Sequence, residues 1–202
     1  MIEILIASHN IKKRHELESL LKGFSRVKVM NYNDLDVMPP IIVEDGKTFR
    51  QNAVKKALTI SRFFDGLVLG DDSGLEVDAL DGKPGVRSAR FARKNATDTE
   101  NNRKLLRLLD SVPQKNRQAR FVCYIALAEK GLLVGSFEGI INGEINLKRK
   151  GKNGFGYDPL FIPNGHKETF AEMGPVRKNR ISHRAVALKA VKIAIKEYMK
   201  KT

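Results

Sequence analysis

The stretch GDDSGLEV, residues 70–77, places two adjacent carboxylates and a hydroxyl between glycines. Apolar runs flank it on both sides, Leu67 to Leu69 and Leu75 to Val77, and carboxylates in such a setting are costly unless something positive balances them. Read alone, Asp71, Asp72 and Ser73 make either an Asx turn or part of a cation site. Glu44 in VEDG is in the same position, as a solvated loop acid or a second ligand. Magnesium takes one or two carboxylates together with water and substrate phosphate, so Glu44 and Asp72 would suffice if the fold joined them.

Three further clusters carry groups of complementary chemistry. SHNIKK, Ser8 to Lys13, falls between an apolar run and a helical pattern. Such a turn offers free backbone N–H groups and the positive end of a helix, to which Asn10 and Lys13 add side-chain donors for a phosphate. It is not a P-loop, because the glycine spacing is missing, and GKT at 46–48 has Ile41 where the earlier glycine is required. In GFGYDP, residues 154–159, the glycines with Phe155, Gly156 and Tyr157 suit a rigid wall against a flat base, with Asp158 as its polar edge. In KNRISHR, Lys178, His183 and Arg184 suit an anion or a base. Ser182 reads as a helix cap and not as a nucleophile, and His15 and His166 as ordinary surface histidines.

These clusters need elements to position them. Ile2–Ala7 and residues 27–30 read as strands, and Lys13–Lys22 as a short helix with Leu17, Leu20 and Leu21 on one face. The prolines of DVMPP, Asp36–Pro40, mark a loop. Thr48 caps a helix whose apolar positions are Phe49, Ala53, Ala57 and Ile60. Residues 67–70 form a buried strand with DDSG at its exit, and GKPGVRSARF supplies turn, bend and a short extended piece. Thr97 and Glu100 make a capping box ahead of Leu105, Leu106, Leu108 and Leu109. ARFVCYIALAEK and LLVGSFEGIING read as an antiparallel pair turning at Lys130-Gly131. DPLFIP is a short extended segment, and Ser182–Lys200 a final helix. The expected fold is α/β, a mixed twisted sheet with flanking helices, as a single domain over 1–202 with two lobes around a nucleotide-binding cleft.

A chain of 202 residues with 42% hydrophobic and 30% charged residues is a globular protein with ample core. No apolar run approaches the ~20 residues that span a bilayer, so no membrane partner is expected. MIEILIAS lacks the basic lead of a signal peptide, and the one cysteine, Cys123, sits in an apolar run as a buried thiol. Both suit a reducing cytoplasm. The net charge of +14 suits nucleic acid and polyphosphate alike. With no tryptophan and no basic stripe interleaved with aromatics, no specific nucleic-acid partner is expected.

In order along the chain, SHNIKKRHEL, EDGKTFRQNAVKKA, GDDSGLEVDALDGKPGVRSARFA, ATDTENNRKLL, FEGIINGEI, GFGYDPLFIP and KNRISHRAVAL make the sequence resemble the inosine triphosphate pyrophosphatase family, the XTP/dITP diphosphatases. The resemblance implies a homodimer that clears ITP, dITP and XTP from the nucleotide pool, cutting between the α- and β-phosphates with Mg²⁺ to give monophosphate and pyrophosphate. It implies that Ser8, Asn10, Lys13 and Lys56 meet the phosphates, and that Ser73 touches substrate. Glu44 and Asp72 hold metal, Asp72 being also the proton acceptor for the attacking water. Phe155 stacks on the base, with Gly156, Tyr157, Asp158, Lys178, His183 and Arg184 completing the base and ribose pocket. His9 stands where glycine is common in the family, and Arg87 where an aromatic is. The alternatives are a related pyrophosphatase for pyrimidine or modified nucleotides and, from another class, a basic nucleic-acid-binding protein without catalysis. The last leaves the ordered polar clusters without a purpose.

Overall fold

A computed structural model describes residues 1–37 and 39–200; Met38, inside the expected 36–40 loop, lies outside the described residues. The elements run β1 (Ile2–Ala7), α1 (Ile11–Leu21), β2 (Val27–Asn31), α2 (Phe49–Ile60), β3 (Leu67–Val77), α3 (Asp98–Leu108), β4 (Gln118–Glu129), β5 (Leu132–Ile145), β6 (Phe161–Pro163), α4 (Phe170–Ile181) and α5 (His183–Met199). Six strands make one sheet in the order β2-β1-β3-β4-β5-β6. It is mixed, since β1 runs parallel to β2 and β3 while β5 runs antiparallel to β6. The chain divides into two compact units, one of Met1–Asp72, Cys123–Gly139 and Arg184–Thr202, the other of Ser73–Val122 and Ile140–His183.

In the first unit β1 is apolar on both faces, as a strand between two parallel neighbours must be. Ile4 and Ile6 pack with Leu17 and Leu21 of α1 and Leu188, Val191 and Ile195 of α5. Leu5 and Ala7 pack on the opposite side with Tyr32, Ile60 and Val68. The expected helix at Thr48 is present, and its cap is reciprocal. The Thr48 hydroxyl accepts from the Gln51 N–H, and the Gln51 side chain accepts from the Thr48 N–H. Phe49, Ala53, Ala57 and Ile60 are buried as their spacing requires. The β4–β5 turn falls at Lys130 (φ 48°) and Gly131 (φ 79°), two successive positive φ values that match the right-handed twist of a tight hairpin.

The main correction concerns β3. It does not end at Gly70 but continues through GDDSG to Val77. Asp and Gly are poor strand formers, and burial with sheet pairing overrides that preference here. Side chains alternate accordingly. Leu67 and Leu69 join the α1–α5 core, whereas Val68 joins the side that carries Ile60 of α2. Gly70 faces α2 so closely that a Cβ would lie 2.8 Å from the Ala57 backbone nitrogen and against the Ala53 carbonyl. Gly70→Ala is therefore expected to cost about 1–3 kcal/mol in denaturant titrations, because neither helix backbone atom can rotate away. A loss below about 0.5 kcal/mol would show that α2 moves freely.

In the second unit the Thr97–Glu100 capping box is as expected. Leu105 and Leu109 are buried with Leu75, Val77, Phe161 and Phe170, while Leu108 is exposed. The backbone N–H of Thr97 and then Arg93 hold the Glu100 carboxyl down at about 2 from its ordinary 4.5. A group with a depressed folded-state value stabilises above its unfolded value and loses that contribution as pH falls through the folded one. The stability gap between wild type and Glu100→Gln should accordingly close as pH drops from 4.5 to about 2. A gap independent of pH across that window would exclude the carboxylate as its source.

One local expectation fails here. Residues 85–90 form a 3₁₀ helix and not an extended piece. Phe170–Ile181, for which the sequence reading gave no element, is helical. Gly174, at φ 73° and ψ 168°, kinks the helix at that point, a conformation that favours glycine. The missed signal was local, since Thr169 and Glu172 form another capping box. Ser182 is the extended residue between α4 and α5.

Candidate active site

In the first unit the acids and lysines singled out in the sequence converge. α1 starts at a cap in which the Asn10 side chain accepts from the Lys13 N–H at 3.1 Å, and the Ser8 hydroxyl accepts from the Asn10 N–H at 3.2 Å. This fixes the first turn of α1 just past the C-terminal end of β1, with the Lys13 side chain over β3. From α2, Lys56 donates to Glu44 at 3.0 Å and to the Asp71 carbonyl, and its ammonium lies 3.9 Å from Asp72. Glu44 and Asp72 thus both lie beside the Lys56 ammonium. Among the described residues no three His, Cys, Asp or Glu side chains form a metal cage. A pair of carboxylates such as Glu44 and Asp72 could hold only a cation that keeps most of its waters.

Asp72 sits against α2. Its carboxylate accepts from the Asn52 amide at 2.9 Å, and the Asn52 oxygen accepts from the Gly46 N–H at 2.8 Å, tying the Glu44 loop to β3. Asn52 was missed in the sequence, yet a signal was there. Asn52 and Lys56 are polar residues one turn apart on the buried stripe of an otherwise apolar helix face. Burial, then the neighbouring Glu44 charge, push the Asp72 carboxyl up against the pull of Lys13, Lys56 and Asn52.

Asp71 is the other residue that sequence reading left aside, as a turn-former. It is a fully buried anion, 2.9 Å from the Lys13 ammonium and 3.3 Å from Nε of Arg184. Burial opposes its charge, but Arg184, Lys13 and Lys56 outweigh it and hold Asp71 ionised far below the usual carboxylate range. Burial likewise opposes the charge of Lys13, and Asp71 with Asp72 raise its affinity for the proton nonetheless. Arg184, expected with the base residues, is placed among these acids, its guanidinium pairing with Asp71 and Glu16. The Cys123 thiol, buried as expected, donates to Asp71 and is pushed well up by that burial.

The second unit holds the aromatic cluster. Asp158 is buried and accepts from the Lys178 ammonium at 2.7 Å and from the Phe155 N–H at 2.8 Å. Gly154, at φ 75°, lets the loop fold over that carboxylate, where any Cβ would collide with it. The Lys178 ammonium stands 4.7 Å from the half-buried Phe155 ring. Gly156 (φ 61°) presents its carbonyl to the Asn102 amide at 2.7 Å. Tyr157, expected as part of a rigid wall, is core, with its hydroxyl donating to the Ser88 carbonyl at 2.9 Å. His183 is buried and stacks on Phe121 with centroids 4.8 Å apart. Ser73 is half-buried at the start of this unit.

The Ham1 family model matches residues 4–194. The chain belongs to the Ham1 family. It is similar to a protein named dITP/XTP pyrophosphatase from Desulforamulus reducens, at 48% identity covering 93% of this chain and 92% of that one. A relative of the same name from Caldanaerobacter subterraneus is 43% identical and covers 100% and 98%. Among solved structures, a HAM1 protein from Coxiella burnetii aligns with TM-score 0.86 and 40% identity, covering 98% of this chain and all of that one. The Ham1 fold seen there is the mixed six-stranded sheet with flanking helices described above.

Proposed function

We propose that this Ham1-family chain hydrolyses purine nucleoside triphosphates bearing hypoxanthine or xanthine to monophosphate and pyrophosphate, clearing them from the nucleotide pool. The observation that carries the reading is the convergence of Glu44 and Asp72 on the Lys56 ammonium, beside a second lysine, Lys13, at a helix start. Lysine ammoniums and backbone N–H groups bind phosphate oxygens, and the names of the relatives supply the substrate class. Glu44 and Asp72 fit Mg²⁺, which when bound would neutralise phosphate charge and lower the cost of attack at the α-phosphate.

The chain's own residues do the remainder in this reading. Lys13 and Lys56 anchor the phosphates, with Ser8 and Asn10 fixing the turn that carries Lys13. Asp72 takes the proton of the attacking water, and Asn52 aims its carboxylate. Ser73, the next residue on β3, touches substrate. In the second unit Phe155 and Gly156 offer a face and a carbonyl to the base, while Tyr157 and Asp158 shape that loop from within. Lys178 and His183 supply donors that suit an oxygen at purine position 6, where adenine carries an amino group. The resemblance assigns Arg184 to the base and ribose pocket, and its guanidinium also pairs with Asp71 and Glu16. Guanine shares the 6-oxygen, so its rejection turns on the 2-amino group. The family resemblance carries the homodimer and the cytoplasmic setting; among the described residues no helix is long and apolar enough to cross a membrane.

The test is incubation with ITP, dITP, XTP, GTP, ATP and UTP plus Mg²⁺, with products identified. Pyrophosphate and monophosphate from ITP and XTP, at rates well above those for GTP and ATP, are the expected result. Orthophosphate as first product would overturn the cleavage position, and equal turnover of UTP would move the protein to the pyrimidine or modified-nucleotide alternative.

A further inference from the structure

Asp71 joins three elements of the first unit. Strand alternation turns its side chain to the α1–α5 side, the side of Leu67 and Leu69, while Asp72 turns to α2. One carboxylate oxygen meets the Lys13 ammonium of α1 at 2.9 Å; the other meets Nε of Arg184, the second residue of α5, at 3.3 Å. Arg184 in turn donates to Glu16, and Glu16 lies three residues after Lys13, on the same face of α1. Lys13, Asp71, Arg184 and Glu16 therefore close a ring of alternating charge that leaves α1 and returns to it. The backbone of the same residue holds the second lysine, since the Asp71 carbonyl accepts from Lys56.

Resting on the pyrophosphatase reading above, we propose that Asp71 is a positioning residue that sets both phosphate-binding lysines, through its carboxylate for Lys13 and its carbonyl for Lys56, with Arg184 and Glu16 bracing it. A lysine ammonium on a four-carbon stem has many places to be, and two buried cations without an anion between them repel. Lys13 and Arg184 approach one carboxylate from its two oxygens, so removal of the charge both frees Lys13 and sets it against Arg184. An ammonium has three donors, and Asp71 engages Lys13 through one oxygen, leaving donors for phosphate oxygens. The lysine side chain retains 16% exposure, enough for a phosphate to reach it.

The experiment is a double-variant cycle on pyrophosphate affinity, measured by titration calorimetry with Mg²⁺ on the full chain. Asp71→Asn and Lys13→Met are each expected to weaken pyrophosphate about tenfold, the scale of one lost charge-assisted hydrogen bond. Because Asp71 acts through Lys13, the doubly substituted protein should bind no more than about threefold more weakly than either alone. Losses that multiply to about a hundredfold, or an Asp71→Asn protein that binds as wild type does, would overturn the proposal. A purely structural role would lower the melting temperature and leave the two losses independent. Should Asp71→Asn fail to fold, Glu16→Gln decides. It is expected to weaken binding severalfold in the wild-type background and not at all with Lys13→Met, and equal effects in both backgrounds overturn the bracing. Pyrophosphate binding needs no turnover. Wild-type protein that binds pyrophosphate without hydrolysing ITP or XTP defeats the pyrophosphatase reading alone, whereas failure of the cycle in an active enzyme defeats only the positioning role.

Discussion

Asp72→Asn is expected to cut pyrophosphate release from ITP by about 10²–10⁴-fold, the range that a positioned general base supplies, with a melting temperature close to wild type. Asparagine fills the same volume and still accepts from the Asn52 amide, so α2, β3 and the Glu44 loop keep their connection. What is lost is the negative charge. That charge is held where it is chemically useful: burial and Glu44 push the Asp72 carboxyl up, while Lys13, Lys56 and Asn52 keep it within reach of ionisation. A carboxylate raised in this way holds a proton more readily than a surface aspartate, which suits a proton acceptor. On the proposed reading substitution also removes one of the two carboxylates that would hold Mg²⁺, so the Mg²⁺ concentration for half-maximal activity should rise together with the fall in turnover. An Asp72→Asn protein with wild-type turnover would exclude Asp72 both as base and as ligand. Lost turnover accompanied by lost structure, read by circular dichroism, would instead make Asp72 a folding residue.

What was legible in the sequence was what is local. Thr48, Thr97 and the Lys130-Gly131 turn were read correctly because each depends on contacts within about four residues. The apolar stripe of α2 was read for the same reason. Its two polar interruptions, Asn52 and Lys56, were equally visible, but only the resemblance drew attention to Lys56 and neither drew it to Asn52. GDDSG was placed at the exit of a strand ending at Gly70, with a turn and a cation site both left open, because what makes it strand is remote: its pairing within the sheet and the backbone of α2 pressed against Gly70. That boundary hid the role of Asp71. In a strand Asp71 and Asp72 face opposite sides and do different work. The partner that defines Asp71 lies 113 positions away at Arg184, a distance at which pattern and spacing carry no information. Arg184 itself was grouped with the base residues through the KNRISHR motif, which gives no hint of its ion pairs with Asp71 and Glu16.

The largest stability effect should come from Lys178→Met in the second unit. Lys178 and Asp158 form an ion pair at 2.7 Å with side chains 4% and 2% exposed, and Asp158 also accepts the Phe155 N–H. Breaking a pair this buried by removing one partner costs about 3–5 kcal/mol, because the remaining charge keeps its desolvation penalty and loses its counter-ion. Methionine matches the lysine stem and can still lie against Phe155 and Phe170, the rings within 4.7 and 5.7 Å of the ammonium, so lost packing contributes little. The urea midpoint should fall accordingly, and a loss below about 1 kcal/mol would show that the pair is solvated after all. Adding Asp158→Asn separates stability from specificity. With the second charge gone, part of the lost stability should return, since replacing both members of a buried pair is often close to neutral. On the proposed reading base preference should not return, because the ammonium assigned there to the purine 6-oxygen is still missing and the Phe155 loop has lost the carboxylate that shapes it. A doubly substituted protein that recovers stability but discriminates ITP from ATP as wild type does would remove Lys178 from base recognition and leave it a purely structural lysine.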